Sequence, residues 1–380
     1  MSCEERWIGE PGGRITVDLG AVRANYERLA AAVAPARVGA VVKADAYGLG
    51  AGPIVRALAD AGCRDVFVAF LGEALRLRPH LSADVRIHVL NGLAPGEEAL
   101  CAARRVVPVL NSLAQARRWR ETSRSVGAAL PAALQIDTGM SRLGMAPAEA
   151  EGLLAERDFT QGVELTLLMT HLACADVPDD PANRRQRERL RALADRVAPD
   201  APVSIANSAG SVLAPAFHGD LVRAGVALFG AAPAPGLVGR LQPVVRLEAR
   251  VIQVRSVEAG AGVGYGLTYT APRPSRLATL AIGYADGWSR RLGGIAATWF
   301  GGVRLPLVGR VSMDSMTVDV TALPPGAIDE GDHVELIGPN APLETIAAQA
   351  ETIPYEILTA LGPRLRRTYV EYRVEARAQP

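Results

Sequence analysis

An α/β fold, in which a (β/α)8 TIM-type barrel precedes a mainly β C-terminal domain, is predicted by three features of the 380-residue sequence. Short β-branched apolar runs recur eight times between about residues 14 and 240, amphipathic stretches separate them, and beyond residue 240 the texture turns to apolar–polar alternation broken by Gly and Pro. Continuous apolar strands separated by helices imply a parallel sheet covered on both faces, and eight such units in about 225 residues suit a closed barrel. A doubly wound open sheet is the alternative.

The eight runs are VGAVV (38–42), VFVAF (66–70), IHVL (87–90), VVPVL (106–110), AALQI (132–136), LTLLMT (165–170), VSIA (203–206) and VRAGVALF (222–229). Helical candidates lie between them, among them PIVRALADA, closed by Gly62, and an Arg-rich stretch at 182–198. The basic run at 184–191 reads as the solvated outer face of a crossover helix. After it come the antiparallel candidates VRLEARVIQVRSV, RLATLAIGY, GGVRLPLVGRVSM and HVELIG, then a helix at about 342–350 and a tail, 354–374, expected to pack back onto that domain. The expected division is an N-terminal extension at 1–13, a barrel at 14–240 and a β domain at 241–380.

Composition narrows the function. Hydrophobic residues make up 49% and charged residues 21%, which supports a buried core and excludes general disorder. Basic and acidic residues number 41 and 40 with no basic block, so a nucleic-acid surface has no electrostatic footprint. Cys3, Cys63, Cys101 and Cys174 are scattered and the five histidines show no ligand spacing, so reduced thiols and no metal centre are expected. The charged start MSCEERWIGE and the absence of an 18-residue apolar run predict a cytoplasmic protein without a membrane span.

Lys43 is the only lysine, so the other 40 of the 41 basic residues are arginine. Arginine neither condenses with a carbonyl nor acts as a base near neutral pH, whereas lysine does both. The count alone does not separate such a requirement from chance. Position adds to it, because the active site of a (β/α)8 barrel sits at the C-terminal ends of its strands. Lys43 follows the first run, His171 the sixth, and Asn207 and Ser208 the seventh, while Arg223 and Gly225 belong to the eighth. Strands seven and eight often bind phosphate through backbone N–H groups, so a lysine and a phosphate site on one face suggest pyridoxal phosphate. Each residue alone also has a plain structural reading: a hydrogen-bonded histidine, or a turn at N-S-A-G.

Eight segments in order resemble alanine racemase: VVKADAYGLG (41–50), IDTGMSRLGM (136–145), THLACAD (170–176), ANSAGS (206–211), VRAGVALFG (222–230), GYGLTYTAP (264–272), IGYADGWSRRL (282–292) and GRVSMD (309–314). The resemblance implies an isomerase that interconverts L-alanine and D-alanine with pyridoxal 5'-phosphate, serving D-alanine biosynthesis or alanine catabolism by the same chemistry, and a homodimer with shared active sites. By matching position, Lys43 carries the cofactor and is the base on one face, and Tyr265 of the other subunit is the base on the opposite face. Tyr47, Ser208, Gly225 and Val226 match phosphate ligands, Arg223 the arginine at the pyridine nitrogen, and His171 the imidazole beside the ring. Arg142 matches the residue orienting cofactor oxygen and substrate carboxylate, with the partner's Met313 near that carboxylate. Asp176, Tyr284, Arg290 and Arg310 match the substrate entrance.

Two bases on opposite faces account for racemisation directly, and both Lys and Tyr then need pKa values well below their usual roughly 10. Two departures stand out. Gln135 occupies a position where many relatives have a carbamylated lysine, and its amide is expected to accept a hydrogen bond from Arg142. Pro363 stands where some relatives offer a tyrosine to the phosphate. The alternatives are a broad-specificity amino-acid racemase, a barrel-fold pyridoxal-phosphate decarboxylase, and a non-catalytic pyridoxal-phosphate-binding protein.

Overall fold

A computed structural model describes residues 11–371, so Cys3, most of the 1–13 extension and the end of the 354–374 tail lie outside the described residues. The chain divides into two compact units, one of residues 20–46 and 50–242, the other of residues 11–19, 47–49 and 243–371 within the described range.

In the first unit the strands Arg37–Val41, Asp65–Val68, Arg86–Val89, Val107–Leu110, Leu130–Gln135, Val163–Met169, Val203–Ser204 and Leu221–Ala224 pair in parallel in chain order. The last pairs with the first (Val38 with Val222) and a bridge joins Asn207 to Arg223, so the sheet closes into a barrel and the open-sheet alternative falls away. Its interior is filled by Val41, Phe67, Val109, Ala133, Leu167, Met169 and Leu221. Gly39 is required there, because a Cβ would lie 2.7 Å from the Phe67 ring.

The helices follow their local signals. Ala51–Asp60 ends at Gly62, whose φ of +97° is open to glycine at little cost. Pro181–Val197 starts where the Asp180 carboxylate accepts the Ala182 N–H at 2.7 Å, with Pro181 at the first helical position. The eighth apolar run is shorter as a strand than its sequence suggests. Beyond Gly225, residues Val226–Phe229 coil into a buried 3-10 turn, since a buried apolar run carries no periodicity to separate strand from helix.

At the strand starts, the buried Asp65 carboxylate accepts from Arg37 (2.6 Å), Arg86 (2.8 and 3.0 Å) and His88 (3.0 Å). Burial pushes this carboxyl up, but the His88 and Arg86 bonds outweigh it and hold the group well below the usual carboxylate range. Conserving shape while removing charge, Asp65→Asn is expected to cost about 3 kcal/mol at pH 7 by urea unfolding, because three donors lose an ionic partner. A depressed carboxyl stabilises the fold above its unfolded pKa near 4, so the difference from wild type should shrink as pH falls below that value.

The second unit is built on the 13-residue strand Val245–Val257, which pairs antiparallel with Gly13–Asp18, Ser275–Leu280 and His333–Ile337. Gly13–Asp18 also pairs in parallel with Arg366–Val370. This first strand lies in a segment that the sequence reading assigned to the barrel. Both its partners are more than 200 residues away, a pairing that no local pattern reveals. Val303–Val308, Met316–Asp319 and Ala297–Phe300 complete the sheet, and the C-terminal region forms the helices Leu343–Gln349 and Pro354–Ala360 before its strand.

Candidate active site

Lys43 lies two residues beyond the first barrel strand, and the four residues after it leave ordinary backbone space. Ala44, Asp45, Ala46 and Tyr47 have φ of +53° to +57°, one turn of left-handed helix made without glycine. At about 1–2 kcal/mol for each residue this is expensive, and such strain collects at functional sites. Ala46 donates to the Val42 carbonyl (2.8 Å), Gly50 to the Asp45 carbonyl (2.9 Å), and Ala51 to the Asp45 carboxylate (2.8 Å). Burial first, then the Arg142 cation, lowers the Lys43 pKa, which favours the free amine.

Arg223 and His171 face the same group of charges. Arg223 is almost wholly buried, and its guanidinium donates to the Ser204 hydroxyl, the Thr170 carbonyl (2.6 Å) and His171 Nδ1 (3.3 Å). Burial lowers its pKa to about 10, so it remains a cation, and no carboxylate pairs with it among the described residues. Burial and the neighbouring Arg223, Arg142 and Lys43 pull His171 down to about 3, so its ring is neutral. With Nδ1 accepting from Arg223, its proton sits on Nε2.

Ser208 completes this end of the barrel. Its hydroxyl oxygen accepts the N–H groups of Gly225 (2.7 Å) and Ala227 (3.4 Å) beside the start of the Val226–Phe229 turn, which leaves its own proton to donate. Asn207 has a turn role, its side-chain oxygen accepting the Gly210 N–H at 2.9 Å.

Arg142 is exposed in a loop organised by Asp137, whose carboxylate accepts the N–H groups of Gly139, Met140 and Ser141 at 2.9–3.1 Å. Gly144 closes the loop at φ +114°, where a Cβ would lie 2.7 Å from the Asp137 nitrogen. The amide of Gln135 does not bond Arg142 as the sequence reading expected. Its side-chain N–H donates to the Leu143 carbonyl at 3.1 Å, and the Gln135 main-chain carbonyl accepts the Met145 N–H at 2.8 Å, because the loop bends back and presents peptide groups to it. Gln135 therefore fixes Arg142 through the backbone. Gln135→Ala should lower kcat/KM about fivefold to tenfold, the worth of one such bond, and bicarbonate should change neither protein.

The basic run 184–191 is solvated only in part. Gln186 is buried and donates to the His171 carbonyl (2.8 Å) while accepting the Ala173 N–H (2.9 Å), and Arg189 donates to the Thr138 carbonyl (2.9 Å). The helix spacing of Gln186, Leu190 and Leu193 is the sequence signal that marks the inward face. Asp176 is exposed in the loop after His171.

The remaining candidates belong to the other unit. Tyr47 is buried, its ring 5.9 Å from that of Tyr355, and burial raises its pKa so that the hydroxyl keeps its proton. Tyr265 is 71% exposed in a turn between two positive-φ glycines, with the Arg310 guanidinium beside Gly266. Tyr284 and Ala285 donate to the carbonyls of Ser312 and Met313 (both 3.0 Å), which sets Tyr284 next to Met313, and the Arg290 turn passes close to Arg310. Pro363 is exposed and offers no side-chain donor.

The barrel residues fit pyridoxal phosphate. A buried cation without a carboxylate suits an unprotonated ring nitrogen, a hydroxyl with its own proton left to donate at a turn start suits a phosphate, and an amine of lowered proton affinity suits an aldehyde. Cys63 and Cys101 are buried free thiols, and among the described residues no group of three or more His, Cys, Asp or Glu is arranged to hold a metal ion.

Comparison with known proteins gives the same family throughout. Residues 17–233 match the family model of the alanine racemase N-terminal domain, and residues 244–369 that of the C-terminal domain. A protein of Agrobacterium fabrum named "Alanine racemase, catabolic" is 51% identical over 96% of this chain and 93% of its own length. An alanine racemase of Brucella canis is 49% identical over 97% of this chain and 96% of its own. The crystal structure of alanine racemase from Bartonella henselae, with covalently bound pyridoxal phosphate, superposes with a TM-score of 0.89 at 42% identity, covering 95% of this chain and 100% of that one.

Proposed function

The chain belongs to the alanine racemase family, and we propose on that premise that it interconverts L-alanine and D-alanine with pyridoxal 5'-phosphate held at Lys43. The observation that carries the assignment to this site is the lone lysine in a strained turn at a barrel strand end, its proton affinity lowered, among Arg223, His171, Arg142 and Ser208. Bound pyridoxal phosphate supplies an electron sink that makes the α-proton of an attached amino acid removable. The chain supplies everything else.

Lys43 Nζ would hold the cofactor, and its free amine would move a proton at one face of the substrate Cα. Tyr265 Oη moves the other at the opposite face, contributed by a second copy of the chain. Arg223, a buried cation, would stand at the ring nitrogen and disfavour its protonation, which would limit charge build-up and side reactions. His171 presents a neutral ring, and Tyr47, Ser208 and the backbone at Gly225 and Val226 hold the phosphate. Arg142 and the partner's Met313 orient the substrate carboxylate. Asp176, Tyr284, Arg290 and Arg310 shape the entrance. The barrel unit, residues 20–46 and 50–242, thus carries the cofactor-bearing lysine, and the β unit carries the second base to the partner.

A homodimer with two shared sites is supported by the β unit itself, where Tyr265, Leu267, Tyr284 and Met313 are exposed apolar side chains, 44–71% accessible. Among the described residues no helix is long and apolar enough to cross a membrane. The work of the enzyme is proposed to be cytoplasmic and to involve neither nucleic acid nor membrane.

Incubating the purified protein with a panel of L-amino acids, followed by chiral chromatography, tests this function. L-alanine should reach an equal mixture with D-alanine, and release of carbon dioxide without D-alanine would point to a decarboxylase instead. Comparable turnover of several L-amino acids would mark the broad-specificity alternative.

A further inference from the structure

Resting on the reading of Lys43 as the cofactor-bearing base, we propose that Glu73 is its positioning residue, clamping the first peptide of the left-handed turn and keeping an anion beside the amine. Glu73 Oε1 accepts the Ala44 N–H at 2.7 Å, the peptide directly after Lys43. Its Oε2 accepts the N–H groups of Ala69 (2.7 Å) and Phe70 (3.2 Å), just beyond the strand Asp65–Val68. One carboxylate therefore ties together the C-terminal ends of two neighbouring barrel strands. Three N–H donors on two oxygens use only acceptor sites, which a carboxylate supplies and an amide supplies by half.

The clamp matters because the turn is costly. The Ala44 N–H opens the turn, where the first N–H groups have no partner within the turn itself, and Glu73 is the group that receives it. Without that acceptor the turn loses a charge-assisted bond at the residue beside Lys43, and the amine loses its fixed origin. The charges around Lys43 give Glu73 its second effect. Arg142 and the Lys43 burial lower the amine's affinity for a proton, Glu73 opposes them, and His171 faces the site as a neutral ring. The amine must both take and give a proton in a reversible racemisation, so an anion that stops its pKa from falling too far serves both directions.

Full-length, cofactor-loaded wild type, Glu73→Gln and Glu73→Asp proteins test this by hydrogen exchange of the peptide covering residues 42–49 and by pH–rate profiles in both directions. In Glu73→Gln, exchange at that peptide should rise about tenfold and kcat fall about tenfold, with KM within about threefold and the thermal midpoint within a few degrees of wild type. The limb set by Lys43 should move to lower pH, this being the acid limb for one direction of reaction and the basic limb for the other. Glu73→Asp keeps the charge but is one methylene short, so it should restore the limb and leave the peptide exposed to exchange.

A folded Glu73→Gln protein with wild-type exchange and an unmoved limb overturns the proposal. So does a loss of kcat with the limb in place, which would reduce Glu73 to general support. If Glu73→Gln does not fold, Glu73→Asp decides by exchange alone, wild-type protection at 42–49 counting against the clamp. Borohydride labelling of wild type is the separate control. Cofactor mass found elsewhere than on Lys43 defeats the Lys43 reading, whereas an unchanged exchange pattern in the variants defeats the clamp.

Discussion

Lys43→Ala protein should be colourless and racemise alanine at least about 10⁴-fold more slowly than wild type, because one substitution removes both the attachment point and a base. Wild type should be yellow, and borohydride should fix the cofactor's mass on the peptide containing Lys43. The test is unusually clean here, since no second lysine is present to substitute for the first. The side chain is half-buried at a strand end, so the alanine variant should keep its fold, with a thermal midpoint within a few degrees of wild type without cofactor. A Lys43→Ala protein that still holds borohydride-fixable cofactor would remove the basis of the mechanism.

Tyr265→Phe should cost about 10²- to 10⁴-fold in racemisation, the usual worth of a positioned acid–base group. Its side chain is 71% exposed, so loss of the hydroxyl should leave stability within about 0.5 kcal/mol of wild type. The cofactor should remain on Lys43. In deuterium oxide the variant should still exchange the α-proton of one enantiomer, because Lys43 serves one face alone, while inversion stalls. Equal loss of exchange for both enantiomers, with the cofactor in place, would remove Tyr265 from the role of second base.

Much of this architecture is legible in the sequence for a physical reason: a parallel barrel strand is buried on both faces and announces itself as an unbroken apolar run. Each of the eight runs overlaps a barrel strand, with Lys43, His171 and Ser208 following theirs and Arg223 within its own. Gly13–Asp18 escaped notice because its pairing is set by strands at residues 245 and 366. Gln186 was hidden in a charged run whose composition suggested solvent, although the helical spacing to Leu190 pointed inward. The bond from Gln135 could not be foreseen, since it depends on which carbonyl the Asp137 loop turns toward the amide. Least legible was the left-handed turn after Lys43, as ADAY contains no glycine to signal positive φ and its support comes from Glu73, thirty residues away. The roles proposed for Tyr265 and Met313 rest on ordered motifs alone, because residues proposed to act on a second copy leave no pattern in their own chain.

The central claim is that each site joins Lys43 of one chain to Tyr265 of another, and subunit exchange between two dead proteins measures it most directly. Lys43→Ala and Tyr265→Ala proteins should each be nearly inactive. On random re-pairing about half the dimers are mixed, and each mixed dimer has one doubly damaged site and one intact site, so roughly a quarter of wild-type activity should return. If Tyr265 served the Lys43 of its own chain, every site would retain one lesion and no activity would return despite demonstrated exchange, which would contradict the shared site.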